Sequence, residues 1–216
     1  MHVCTLSIVG MNFQWTSIAS EWRGLSRGLA LGLLLLACAP AWAQGLPASL
    51  KASMLVRILA YDRRMGQLPP PLTIAVLHRD GDTGSQERCQ ELGSALETVA
   101  RGRDVAGRSL RVVRLGFQDA ERLQGALATQ HAVALYVCEG LEADTGRISQ
   151  VTRRLSILSF AGSRSPLDQG LAIGLVRRGD SPVILVHLSA ARAEGADLDA
   201  GLLSLSLLVE PGRPGP

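Results

Sequence analysis

The sequence is short of several things that site chemistry usually needs. Four cysteines and four histidines are spread through 216 residues, and Lys51 is the only lysine. Aromatic residues make up 4% of the chain, so large aromatic binding surfaces are not to be expected. The formal net charge of +3 is too small for a nucleic-acid or anionic-membrane footprint. No stretch of about 20 apolar residues occurs, which argues against a membrane span. The loop Asp80-Gly81-Asp82-Thr83-Gly84-Ser85 has neither the Gly-Lys-Ser/Thr ending of a Walker loop nor G-x-G-x-x-G spacing. Its two aspartates would repel phosphate, yet they are too few for a calcium loop. No serine stands in G-x-S-x-G, since Gly162-Ser163-Arg164-Ser165 lacks the second glycine. Isolated histidines and two distant cysteines offer no metal-ligand spacing. These absences point away from an enzyme, and no cofactor is assigned.

What is present begins with a leader. Arg23 and Arg27 precede an apolar run from Leu29 to Ala37, Pro40 breaks it, and Ala41-Trp42-Ala43 follows. That is the order of a secretory signal, with the cut expected between Ala43 and Gln44. The apolar core, about nine residues, is too short to span a bilayer. Leu35-Leu36-Ala37-Cys38 also resembles a lipobox, and acylation at Cys38 is the less favoured alternative. Residues 1–22 show no structural pattern, and Met11 is an alternative start. Cleavage after Ala43 removes two arginines and one glutamate, so the formal charge falls from +3 to +2. It also leaves only Cys89 and Cys138, 49 residues apart. An oxidising compartment makes them a disulfide candidate, the alternative being two separate buried thiols.

The remainder alternates between two periodicities. Residues 47–62 carry Leu50, Met54, Leu55, Ile58 and Leu59 at helical spacing, and the prolines at 69–71 end the segment. Leu72–His78, Leu110–Leu115, His131–Cys138 and Leu155–Phe160 read as strands, with helices expected over 86–100, 120–128 and 142–153. Such βαβ units imply a parallel sheet with right-handed crossovers. Leu171–Val176 and Val183–Leu188 are joined too closely for a crossover, so they predict an antiparallel hairpin turning at Arg178-Gly179-Asp180. Residues 190–209 are expected to form a closing helix, and 210–216 a frayed tail. The expected class is α/β: a single three-layer, flavodoxin- or Rossmann-like sandwich over residues 44–209, with a mostly parallel sheet and a C-terminal hairpin.

The segment Gly170–Val209 resembles the C-terminus of the YfiR-like periplasmic family. There a G-x-x-I/V-G-F strand leads to an I/V-N-L-x-A-A junction, a G-x-x-x-S/D element and a leucine-rich end. Here the junction is Val186-His187-Leu188-Ser189-Ala190-Ala191. The pattern extends over most of residues 47–209. The resemblance implies a periplasmic, non-enzymatic, homodimeric regulator. Its implied partner is the periplasmic part of an inner-membrane sensor of diguanylate cyclase or histidine kinase type. Two departures stand out. The family's Phe/Trp-Pro after the first helix is replaced by Tyr61-Asp62-Arg63-Arg64, and the prototype's second cysteine pair is absent. The first helix with Tyr61, Arg63 and Arg64 is therefore the expected partner or dimer surface. The competing class is a small-ligand-binding protein using Asp80, Asp82, Thr83 and Ser85 with the loop at 161–165.

Overall fold

The computed structural model describes residues 45–210. The leader, Cys38, the Ala43–Gln44 junction and residues 211–216 lie outside the described residues. The chain opens with α1 (Ala48–Ala60) and a 3₁₀ turn (Arg63–Gly66), followed by β1 (Leu72–Arg79) and α2 (Thr83–Ala100). Then come β2 (Leu110–Phe117), α3 (Ala120–Thr129) and β3 (Ala132–Val137). A short 3₁₀ turn (Glu142–Asp144) leads into α4 (Thr145–Leu155), β4 (Leu158–Ala161) and α5 (Ser165–Asp168). The chain closes with β5 (Ile173–Arg178), β6 (Ser181–Val186), α6 (Leu188–Ala193), α7 (Ala200–Ser204) and β7 (Leu207–Leu208). Among the described residues no helix is long and apolar enough to cross a membrane.

One seven-stranded sheet runs β2-β1-β3-β4-β5-β6-β7. The first five strands are parallel, β6 is antiparallel to β5, and β7 is parallel to β6. The expected α/β sandwich and its hairpin are both present. Strand alternation explains the layers. Leu72, Ile74 and Val76 of β1 join one core with α1, α2, α6 and Leu202 of α7. Ala75 and Leu77, on the opposite face, join a second core with Leu123 and Leu127 of α3 and Ile148 and Val151 of α4. Both faces of β1 are therefore covered, which is why its sequence is a continuous apolar run.

Several boundaries differ from the sequence expectation. Helix α2 begins at Thr83 rather than 86, because the Asp82 side chain accepts from Ser85 N at 3.0 Å and caps it. Helix α4 runs to Leu155 and stops at Ser156, which has φ +55°, so β4 starts later than expected. The single closing helix is not formed. Gly195 turns the chain at φ +73°, Asp199 caps a second short helix through Gly201 N, and Leu207–Leu208 pair with β6 as an edge strand. Leu205, Leu207 and Leu208 are exposed, so these leucines are not core.

Candidate functional site

The strand order places a topological switch between β1 and β3, the crevice where open α/β sheets hold ligands. The first loop there is largely committed to itself. Asp80 Oδ2 accepts from Gln118 Nε2 at 2.7 Å, and Asp82 is the helix cap. Ser85 is buried; its Oγ accepts from Arg79 N at 3.0 Å and donates to Glu139 O at 2.8 Å. Thr83 opens α2 and is exposed. Arg79 straps the loop to β3 by donating to Gly140 O and pairing with Asp144 at 2.7 Å. The expected ligand residues thus come together, but Asp80, Asp82 and Ser85 hold the loop.

The two cysteines meet across β1. Cys138 follows β3, whose neighbour β1 receives Cys138 N at Leu77 O, 2.9 Å. Cys89, near the start of α2, donates to Val76 O at 3.4 Å. Both are free and buried. The Cys138 thiol hydrogen-bonds Cys89 and, with His78 and the charge of Arg114, holds the Cys89 thiol down at about 7 against its burial. Cys138 is pushed far up by that same hydrogen bond and by burial.

A second cluster stands at the tips of β3 and β4. Glu139 pairs with Arg88 Nε at 2.9 Å and more loosely with Lys51 Nζ at 3.6 Å. Lys51 lies 5.9 Å from the centre of the Tyr136 ring. Tyr136 Oη has no partner among the described residues, and burial raises its pKa well above the phenol range. Beside these groups, Val137, Leu141, Ala161 and Pro166 line a shallow, solvent-open cleft with room for about one water molecule. Sequence reasoning missed this cluster. Its one signal was the solitary lysine, set among many arginines.

The end of α1 divides its two arginines. Arg63 is displayed on the surface, pairing with Asp199 at 2.7 Å and Asp197 at 3.9 Å, and those hydrogen-bonding carboxylates raise its pKa. Arg64 turns inward. It pairs with the fully buried carboxylate of Asp62 at 2.9 Å and donates to the carbonyls of Ser156 and Glu194, both at 2.9 Å. Tyr61 is half-buried, and its carbonyl accepts from Asp199 N at 2.9 Å. Arg64 therefore fastens α1 to the C-terminal segment, while Arg63 faces outward. No group of three His, Cys, Asp or Glu side chains among the described residues is arranged to hold a metal ion.

Layered strands with a switch-point edge define the class: a three-layer α/β domain on a mostly parallel sheet. Solved structures of similar fold include a ligand-free, open substrate-binding protein with adhesive properties from Clostridium difficile. It has 16% identity and a TM-score of 0.52, with 74% of this chain and 59% of that one covered. An ABC domain from Streptococcus pneumonia, in complex with L-Trp, has 10% identity and a TM-score of 0.52, covering 73% of this chain and 62% of that one. A conserved domain protein from Vibrio cholerae has 11% identity and a TM-score of 0.54, covering 76% and 60%. The chain spans about three fifths of the length of these proteins. No curated protein matches it. The model of the family DUF4154, YfiR/HmsC-like, matches residues 48–207, and the chain belongs to that family.

Proposed function

We propose that this is a periplasmic, non-enzymatic regulator that binds the periplasmic part of an inner-membrane sensor, of diguanylate cyclase or histidine kinase type, and modulates its output. The observation that carries this reading is the family match, which extends from α1 to β7 and so takes in the whole sandwich. The leader and its cut at Ala43–Gln44 supply the route to the periplasm. The contact surface in this reading starts at Tyr61 and Arg63 and follows α7 to the exposed Leu205, Leu207 and Leu208. Arg63 and Asp199 join its two ends. An exposed apolar edge strand is the kind of feature that a partner or a second copy covers. A homodimer is part of the proposal.

The test is capture of the membrane sensor by the tagged, exported protein, with Arg63→Glu and Leu208→Glu as variants. Both variants should lose the partner while keeping the fold. Retention of every partner by both would refute the surface. Unchanged sensor output in a deletion strain would refute the function. The second reading, a small-ligand-binding protein, is favoured by the fold shared with substrate-binding proteins. Against it stands the size of the strand-end cleft, which has room for little more than one water molecule.

A further inference from the structure

Asp62 and Glu194 are both buried carboxylates, and the fold answers them differently. Asp62 has the guanidinium of Arg64 at 2.9 Å. Glu194 sits among neutral hydrogen-bonding groups. Its Oε2 accepts from Ser159 N at 2.8 Å, and its Oε1 lies 2.6 Å from both Ser159 Oγ and Thr152 Oγ1. Among the described residues, two cations face it. Arg153 of α4 donates to Gly170 O at 3.2 Å, and Arg64 of the first 3₁₀ turn bonds the Glu194 carbonyl while pairing with Asp62. β4 contributes Ser159. On its own segment Arg192 is exposed, and Asp197 and Asp199 engage Arg63. A buried charge without a paired countercharge is costly, so this cradle suits the neutral acid. Burial, the largest influence, raises the carboxyl from 4.5 to about 7, restrained by the Ser159 and Thr152 hydrogen bonds and by Arg153.

The side chain ties residues 188–208 to α4 and β4, and that segment is lightly held. Helices α6 and α7 have six and five residues, too short to persist alone. β7 pairs with β6 over two residues. The buried apolar side chains of the segment are Ala190, Ala191 and Leu202. Its other ties run to the end of α1: Arg64 to the Glu194 carbonyl, Asp197 N to Asp62 Oδ1 at 3.2 Å, and Asp199 N to Tyr61 O at 2.9 Å. A unit with few buried contacts opens at a lower free energy than the whole domain.

We propose that Glu194 is a pH-sensitive latch: as the neutral acid it fastens residues 188–208 to α4 and β4, and on losing its proton to water it lets that segment open. The folded group titrates above the unfolded one, so the latch is at full strength below pH 4.5 and weakens as pH rises through about 7. The consequence for function rests on the regulatory reading, because α7 and the exposed leucines of the contact surface belong to this segment. That surface is held in acid and released as pH rises.

Amide hydrogen exchange of the exported protein at pH 5 and pH 8, resolved by NMR and corrected for intrinsic rates, is the test. The reporters are Ser159 N, whose hydrogen bond breaks when the Glu194 carboxyl leaves, and Glu194 N and Ala196 N of the segment. Their opening should increase about 70-fold from pH 5 to pH 8, as linkage requires of a carboxyl that titrates at 4.5 when open and about 7 when latched. Glu194→Gln should abolish the increase. The reporters should also exchange faster than β1 and β3 at pH 8. The latch is overturned if the parent shows no increase, if Glu194→Gln shows the same one, or if the reporters exchange only together with β1 and β3 at both pH values. The parent's series decides the matter should the variant not fold. Sensor capture is read in parallel, and at pH 8 it should survive better in Glu194→Gln than in the parent. Capture that fails at both pH values while exchange behaves as expected refutes the contact surface and leaves the latch standing.

Discussion

Glu194 offers a quantitative test of the fold. Its side chain is fully buried at the end of α6, and among the described residues no guanidinium pairs with its carboxylate. Arg64 bonds its backbone carbonyl instead. Oε2 accepts from Ser159 N at 2.8 Å and Oε1 from Ser159 Oγ at 2.6 Å. Thr152 Oγ1 lies 2.6 Å from Oε1 and 3.0 Å from Ser149 O, but its hydroxyl carries one hydrogen. A proton on Oε1 resolves the conflict: Glu194 donates to Thr152, and Thr152 donates to Ser149 O. The proton bridges a head-to-tail chain that starts at Ala172 N, which donates to Ser159 Oγ at 2.9 Å.

Burial raises the pKa from 4.5 to about 7, while the Ser159 and Thr152 hydrogen bonds and the charge of Arg153 restrain it. The folded state therefore binds more protons than the unfolded state between those values. Stability from this group is complete below pH 4.5 and is lost as pH rises through about 7. At 1.36 kcal/mol per pKa unit, the loss is about 3 kcal/mol. Glu194→Gln keeps the neutral shape but leaves the Ser159 hydroxyl without its acceptor, a cost of about 1 kcal/mol. The variant should be the less stable protein below about pH 4, about equal near pH 5, and the more stable at pH 8. Urea midpoints should be followed by far-UV circular dichroism, because Trp15, Trp22 and Trp42 all lie in the leader. Comparing the two proteins at each pH cancels the histidines. A difference that stays constant from pH 5 to pH 8, or an advantage of the parent that grows with pH, would refute a protonated Glu194.

Three further outcomes are expected. Arg64→Ala strands the buried carboxylate of Asp62 and frees two carbonyls, so it should destabilise by about 3–5 kcal/mol. Arg63→Ala should leave the urea midpoint unchanged, and equal effects of the two changes would sink the division of roles at the end of α1. Cys89 and Cys138, free and hydrogen-bonded in the structure, should be joined once the oxidising machinery of an export compartment removes their two electrons and two protons. Exported protein unfolded without reductant should then give no free thiol by colorimetric titration, and two free thiols would exclude the bridge. The intact mass of exported protein should correspond to a chain starting at Gln44, whereas a lipidated mass starting at Cys38 would replace the soluble form with a tethered one.

The parallel half of the fold was legible because the apolar runs of β1, β3 and β4 are buried within the sheet and each intervening helix has its own apolar stripe. The closeness of the two free thiols was legible for a related reason: βαβ logic carries both residues to the same sheet edge, where the first and third strands are neighbours. The C-terminal segment misled because leucine content was taken for helix. Leu202, Leu203, Leu205, Leu207 and Leu208 do not keep a 3.6-residue period, and Gly195, Asp197 and Asp199 interrupt the segment with turn and cap chemistry. Only Leu202 of the five is fully buried.

The remaining groups were hidden for a different reason. Lys51, Tyr136, Glu139 and Gly162 come from α1, β3 and two loops, so no spacing in the chain connects them. Glu194 looks like any surface glutamate at a helix end, and its burial follows only from α6 folding back over β4. The arginine pair shows the same limit on a smaller scale. Adjacent residues of one type receive opposite roles, because the buried Asp62 carboxylate captures Arg64 and leaves Arg63 outside. A partner surface inferred from both was half a clamp. What faces outward at this end of the domain is Arg63, already neutralised by Asp199 and Asp197, and separately the exposed leucines of the last strand.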